Sequence, residues 1–243
     1  NASLVPWLTL VGGAHLMMIF KNKGSSLLAA FVLIILSFIL VLYSTFLTRS
    51  GVLGETSVHA FTDLGMSGQL LIYLLFYLFL AIGLIAWRYK DMPKSKSEDE
   101  LWSREFWMFV GALILMIASF QIAFTTSIPV INKVFGTNMA PPADPVDHYN
   151  SWQLPFAVLT LIVMGFAIFL KYKQNQFVPF FKRIVGPLIA ALIITIGVGA
   201  ALKMQNPYYL MMLFASTFTV AGNLNYISSI LNGRIKKAGA SIS

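Results

Sequence analysis

Cysteine is absent from this chain of 243 residues, and its absence removes three chemistries at once. There can be no disulfide, no thiolate metal site and no thiol redox step within the chain. Charge is scarce too: Asp, Glu, Lys and Arg make up 11% of the residues, where a soluble domain carries about 25%. Only nine residues are acidic. All nine are read in connections between apolar runs, which leaves no acidic proton path across a membrane. The sequence also lacks a phosphate-cradling glycine loop, an HExxH zinc motif and a nucleophile elbow.

What fills the chain instead is hydrocarbon. Hydrophobic residues account for 58% and aromatic residues for 14%. Apolar runs recur at close to the ~20 residues that a helix needs to cross ~30 Å of lipid. Seven spans are predicted: Leu4–Phe20, Leu27–Leu47, Gly68–Trp87, Phe106–Thr126, Gln153–Leu170, Ile184–Leu202 and Tyr208–Leu231. Helices are expected because lipid offers no partner to an unpaired backbone group. The fold class is therefore all-α, a polytopic transmembrane bundle forming one domain over residues 1–243.

The net charge of +8 does not read as nucleic-acid binding, because the basic residues fall in short clusters between the runs. Lys21 and Lys23 lie in the first connection. Arg88, Lys90, Lys94, Lys96 and Arg104 lie in the third, and Lys171, Lys173, Lys182 and Arg183 in the fifth. Arg234, Lys236 and Lys237 follow the last span, and the alternate connections hold only Arg49, Lys133 and Lys203. The positive-inside rule then puts Asn1 outside and Ser243 inside. Two external loops are long, Thr48–Ser67 and the proline-rich Ser127–Trp152; such loops often carry function. The stretch from Arg88 to Arg104 is a solvated connector, and no internal repeat is found. Asn1 runs straight into apolar sequence without a signal peptide. Both ends are read as cuts within a longer protein.

The candidate residues are few. His15 lies eight residues after Trp7, about 12 Å deeper along a helix and so near mid-membrane. An ionisable group at that depth is a functional candidate by default. A helix-to-helix hydrogen bond worth about 0.6 kcal/mol, a haem-iron ligand and a proton relay all remain open for it. His59 lies in the first external loop. It reads either as a solvated loop histidine or, because Val52, Leu53, Val58, Ala60 and Phe61 make the loop apolar, as a ligand over a greasy platform that suits a flat metal complex. Arg49 ends the second span, where it either snorkels to the interface or pairs with a ligand carboxylate. His148, beside Asp144, Asp147 and Tyr149, is expected in a solvated turn. Gln121, Asn223 and Asn225 are expected to bond between helices, and Gly197 with Ala201 to mark a close helix approach.

Thr45-Phe-Leu-Thr-Arg-Ser-Gly51 followed by Ser57-Val-His-Ala-Phe61 resembles the hallmark loop of the CcmF family, the haem-handling subunits of cytochrome c maturation. The opening Asn1-Ala-Ser-Leu-Val-Pro-Trp7 with His15, and the later Asn132, Pro141-Pro142 and Tyr149-Asn150, resemble further parts of the same family. The resemblance implies that His15 is the membrane-embedded axial ligand of a stable b-type haem. It implies that His59 is the external axial ligand of the haem being delivered to apocytochrome c, with loop 48–67 as the haem-binding loop and Arg49 as a further haem contact. It also implies a non-hydrolytic component of a cytochrome c haem lyase in a bacterial inner membrane. Its partners would be haem, apocytochrome c, a haem chaperone, thiol-reducing maturation subunits and membrane lipid, with no nucleic acid.

The family's tryptophan-rich motif would precede Asn1, the histidine partnering His59 would lie further upstream, and the second ligand of the membrane haem would lie beyond Ser243. On this resemblance the chain holds one ligand for each of two haems, and alone it is expected to bind haem weakly or not at all. Gly54 and Glu55 read as a small insertion in the loop. Two rival classes remain. A transporter or proton-coupled permease using His15 predicts paired charges or broken helices near mid-membrane. A structural membrane subunit predicts that both histidines tolerate replacement.

Overall fold

The computed structural model describes residues 3–54, 65–93, 101–171 and 177–240, with side chains described as far as 233. The elements run α1 (Leu4–Lys23), α2 (Leu27–Arg49), α3 (Ser67–Arg88), α4 (Arg104–Thr126), α5 (Ile128–Phe135), α6 (Pro145–Ala167), α7 (Phe177–Ala201) and α8 (Pro207–Ala240). No strand occurs among the described residues. Seven of these helices are long and apolar enough to cross a membrane, and α5 is too short to do so.

The helices pack as two compact units, one of residues 1–98 and 112–152, the other of residues 99–111 and 153–243. In the first unit α1 and α2 form a hairpin. Gly24 closes α1 in the left-handed region at φ 76°, and its N–H bonds the Phe20 carbonyl at 2.7 Å. Inside lipid, burying apolar surface gains little between helices, so close backbone approach and interhelical hydrogen bonds hold the pair. Gly12 and Gly13 supply the approach: a Cβ on Gly13 would stand 2.8 Å from Ile34 Cγ1 and 3.2 Å from the Ile34 backbone nitrogen. Ser37 Oγ donates to the Pro6 carbonyl at 2.9 Å, and Ser119 Oγ of α4 donates to the Val5 carbonyl at 3.3 Å. Val5, Leu8 and Ile122 form the buried cluster where α1 and α4 meet. The third helix buries only Leu74 and presents Phe76, Phe79, Ile82 and Trp87 outward, as a lipid-facing helix does.

Replacing Gly13 by leucine is expected to force α1 and α2 apart and lower stability by about 1–3 kcal/mol, the usual range for overpacking. Thermal unfolding of the purified protein in detergent measures it. Gly83, around which a Cβ meets nothing within 4 Å, serves as the control and should tolerate the same change.

The second unit is built on the α7–α8 hairpin with the later part of α6. Thr219 Oγ1 donates to the Leu161 carbonyl at 2.6 Å. A Cβ on Gly222 would lie 2.7 Å from the Gly165 carbonyl oxygen, and one on Gly165 would lie 2.5 Å from the Phe218 ring. These glycines, together with Gly199 against Leu210, make the close contacts; Gly197, expected to do so, faces open space. Its partner pattern is right for a crossing, but it sits on the outward face of α7.

Two other expectations change. Glu105, read as part of a connection, is wholly buried in the first turn of α4. The same turn is tied to the residues that follow α6: the Arg104 N–H bonds the Lys171 carbonyl at 3.1 Å, and its guanidinium donates to the Ile168 carbonyl at 2.6 Å. The stretch Ser127–Trp152, read as a loop, holds all of α5 and the first turns of α6. Asp144 Oδ1 accepts from the N–H groups of Val146 at 2.9 Å and Asp147 at 3.1 Å, so it caps α6 with Pro145 at the first helical position. Both residues favour a helix start there.

Candidate functional site

The last turns of α2 carry the first half of the loop motif. Phe46, Leu47 and Ser50 are buried, and the Gly54 N–H bonds the Gly51 carbonyl at 3.1 Å, a turn that brings Leu53 back into the bundle at 7% exposure. Leu47, Thr48 and Leu53 form one wall of a cavity of about 630 Å³ at this end of the first unit. The start of α1, the end of α4 and Pro129, Pro141, Pro142 and Pro145 complete it. Asn132 brings the prolines into place: its Oδ1 accepts from the Met139 N–H at 3.0 Å and the Thr137 hydroxyl at 2.7 Å, and its amide donates to the Met139 carbonyl at 2.9 Å.

No charged side chain lines the cavity among the described residues. Several of its hydroxyls already have partners. Tyr43 donates to Ser127 Oγ at 2.6 Å, and Thr126 Oγ1 and the Tyr149 hydroxyl lie 3.2 Å apart. The space is therefore largely apolar in character, with Tyr43, Thr126 and Tyr149 already hydrogen-bonded. It falls within the ~300–1,000 Å³ common to small-molecule sites. None of these hydroxyl pairs is visible in sequence, because Tyr43 and Ser127 are 84 positions apart.

His15 stands apart from that cavity, near the middle of α1 on the face of Leu8 and Val11. Its ring is half-buried. Nδ1 lies 2.8 Å from the Val11 carbonyl oxygen. A carbonyl only accepts, so Nδ1 carries the proton in the neutral ring and Nε2 keeps its lone pair. Nε2 has no partner among the described residues. The interhelical hydrogen bond considered for this side chain is thus replaced by one within its own helix. A metal-ligating imidazole takes this arrangement, with the distal N–H held by a carbonyl that fixes tautomer and ring orientation. The residue fits an axial iron ligand.

The remaining candidates separate. Arg49 ends α2 and is exposed. Residues 55–64, and His59 with them, lie outside the described residues. His148 is not in a solvated turn. It is half-buried on α6, with Nε2 at 3.3 Å from both Gln121 Nε2 and Thr125 Oγ1 of α4. The helix starting at Asp144 turns it inward; the Asp-Pro pair was the available signal. Gln121 does bond between helices, and Asn225 Nδ2 donates to the Arg183 carbonyl of α7 at 3.4 Å. Asn223 instead donates to the Thr219 carbonyl in its own helix at 2.8 Å. No cluster of three or more His, Asp or Glu suited to a bare metal ion occurs among the described residues.

Comparison with known proteins places these features among relatives. The chain is 30% identical over 215 residues to the cytochrome c-type biogenesis protein CcmF of Haemophilus influenzae, a match covering 86% of this chain and 31% of that protein. It is 30% identical over 198 residues to CcmF of Pseudomonas fluorescens, covering 79% of this chain and 28% of that protein. It is 29% identical over 177 residues to the probable cytochrome c-type biogenesis protein NrfE of Escherichia coli, covering 72% and 31%. The chain thus spans about a third of the length of the curated relatives it matches. No family model and no solved structure matches it.

Proposed function

Because the chain belongs to the CcmF family of cytochrome c-type biogenesis proteins, we propose that it is the segment of a cytochrome c maturation protein that contributes one iron ligand to each of two haems. The observation that carries the reading is the His15 ring, whose Nδ1 proton is held by the Val11 carbonyl while Nε2 is left to bind iron. His15 is the ligand of a resident b-type haem within the membrane. His59 is the ligand of the haem that is cargo, at the outer face, and Arg49 pairs with a propionate of that cargo.

Each side chain has a defined task. The Val11 carbonyl orients the His15 ring and raises the basicity of Nε2. Leu53 and the proline wall keep this end of the first unit apolar, which suits the flat face of a porphyrin. The b-type haem, when bound, supplies an electron that keeps the delivered iron reduced. The haem vinyl groups are joined at the outer face of the membrane to the cysteines of apocytochrome c, with a haem chaperone and thiol-reducing subunits as partners. The sidedness follows from the distribution of Lys and Arg: the α2–α3 connection faces out, the periplasmic side of a bacterial inner membrane.

A transporter reading draws no support from the spans. Pro155 and Pro187 lie within continuous helices, whereas transporter sites are typically built on broken ones. The test is a reduced-minus-oxidised absorption spectrum of the full-length protein. Soret and alpha bands are expected, as histidine ligation of haem iron gives. A colourless protein, extracted with haem supplied, would overturn the proposal.

A further inference from the structure

The turn between α7 and α8 holds a second recess, remote in sequence from either histidine. It is a groove of about 470 Å³ walled by Ile196 and Ala200 of α7 and Leu210 of α8, with Thr195, Lys203 and Gln205 as its polar members. Three observations there are independent of one another. Lys203 holds a left-handed backbone, φ 51°, a conformation that glycine adopts freely and a lysine does not. A long charged side chain kept at such a position points to a use for that side chain. The Thr195 hydroxyl is buried and has no hydrogen-bond partner, although a buried polar group is normally satisfied. Tyr208 and Tyr209, just beyond the turn, are 59% and 55% exposed, and exposed tyrosines beside a span mark the lipid headgroup level.

We propose that this groove binds an anionic phospholipid. The Lys203 ammonium meets the headgroup phosphate, with the Gln205 amide beside it. An acyl chain lies on Ile196, Ala200 and Leu210, with Thr195 at the deep end of the groove. Gly199 makes the floor: a Cβ there would stand 2.8 Å from Leu210 Cδ2, so the two helices meet closely under the recess. A free phosphate ion would use Lys203 but none of the apolar wall. A zwitterionic lipid such as phosphatidylcholine offers the same phosphate but already balances it with its own cation, so Lys203 adds less to its binding. The combination selects a molecule with an anionic head and a hydrocarbon tail.

The test uses full-length protein, stripped of lipid and offered vesicles of phosphatidylglycerol or phosphatidylcholine, with retained lipid counted by native mass spectrometry. Phosphatidylglycerol should be retained preferentially. Lys203→Gln should lower that retention about fivefold, to the phosphatidylcholine level, the effect expected of one basic residue near a lipid surface. Lys203→Gly separates this role from a structural one: it relieves the backbone, so the melting temperature should hold or rise while lipid selectivity is lost. Equal retention of phosphatidylglycerol by wild type and both Lys203 variants would overturn the assignment. So would equal affinity for phosphatidylcholine, or full displacement of the lipid by millimolar inorganic phosphate.

Discussion

His15→Ala in the full-length protein abolishes the absorption of the membrane haem while the chain still inserts and folds. The loss should exceed the tenfold to hundredfold penalty that follows when merely a supporting hydrogen bond to a ligand is removed, because here the ligand itself goes. Folding should survive for structural reasons. The α1–α2 contact is made by Gly12 and Gly13 against Leu33 and Ile34, and among the described residues the His15 ring bonds only Val11 of its own helix. Alanine also favours the helix more than histidine does. The purified variant is checked by its haem content per protein and by its melting temperature. Added imidazole should restore part of the spectrum, since it can occupy the space of the lost ring. A variant with normal haem content would remove His15 from the site. A variant that loses haem only because it no longer inserts would show it in membrane yield.

The second large effect separates the two haems. His59→Ala should block formation of holocytochrome c and leave the membrane haem spectrum intact. The loop bearing His59 departs from the end of α2, where Phe46, Leu47, Ser50 and Leu53 are packed away. His15 lies near the middle of α1, more than two helical turns from the buried Val5 that faces the cavity at that end. Holocytochrome yield in cells carrying the variant, read beside the reduced spectrum of the purified protein, distinguishes the outcomes. Normal yield would reject the delivery role of His59. Loss of both haems together would mean that the two sites are one structural unit.

The elements differ in how much of them could be read from the chain alone. Seven spans are legible because lipid demands a run of apolar residues for each crossing, and a run is a local property. The start of α6 is legible in principle from Asp144-Pro145, a cap followed by a residue suited to the first turn. It is obscured by the prolines around it, which read as a loop. Small residues at four-residue spacing were a poor guide to contact: Gly197 and Ala201 fit the pattern, while the contacts fall on Gly165, Gly199 and Gly222. Spacing names a face of a helix but not which way that face turns. Asn223 failed as an interhelical group for the same reason, and its amide turned back to Thr219.

The residue types and their order alone determined a membrane bundle, its number of crossings, an imidazole at mid-depth and a family motif at a helix end. These follow from hydrophobicity, charge asymmetry and short-range pattern, which act over a turn or two of chain. Tertiary structure alone decided that the His15 ring is held by the Val11 carbonyl through Nδ1, that Tyr43 pairs with Ser127 and Thr126 with Tyr149 at an apolar cavity, that His148 turns inward and that Lys203 rims a groove. Each of these depends on atoms from helices far apart in the chain, or on the orientation of a ring or turn, and such partners meet only once the helices have packed.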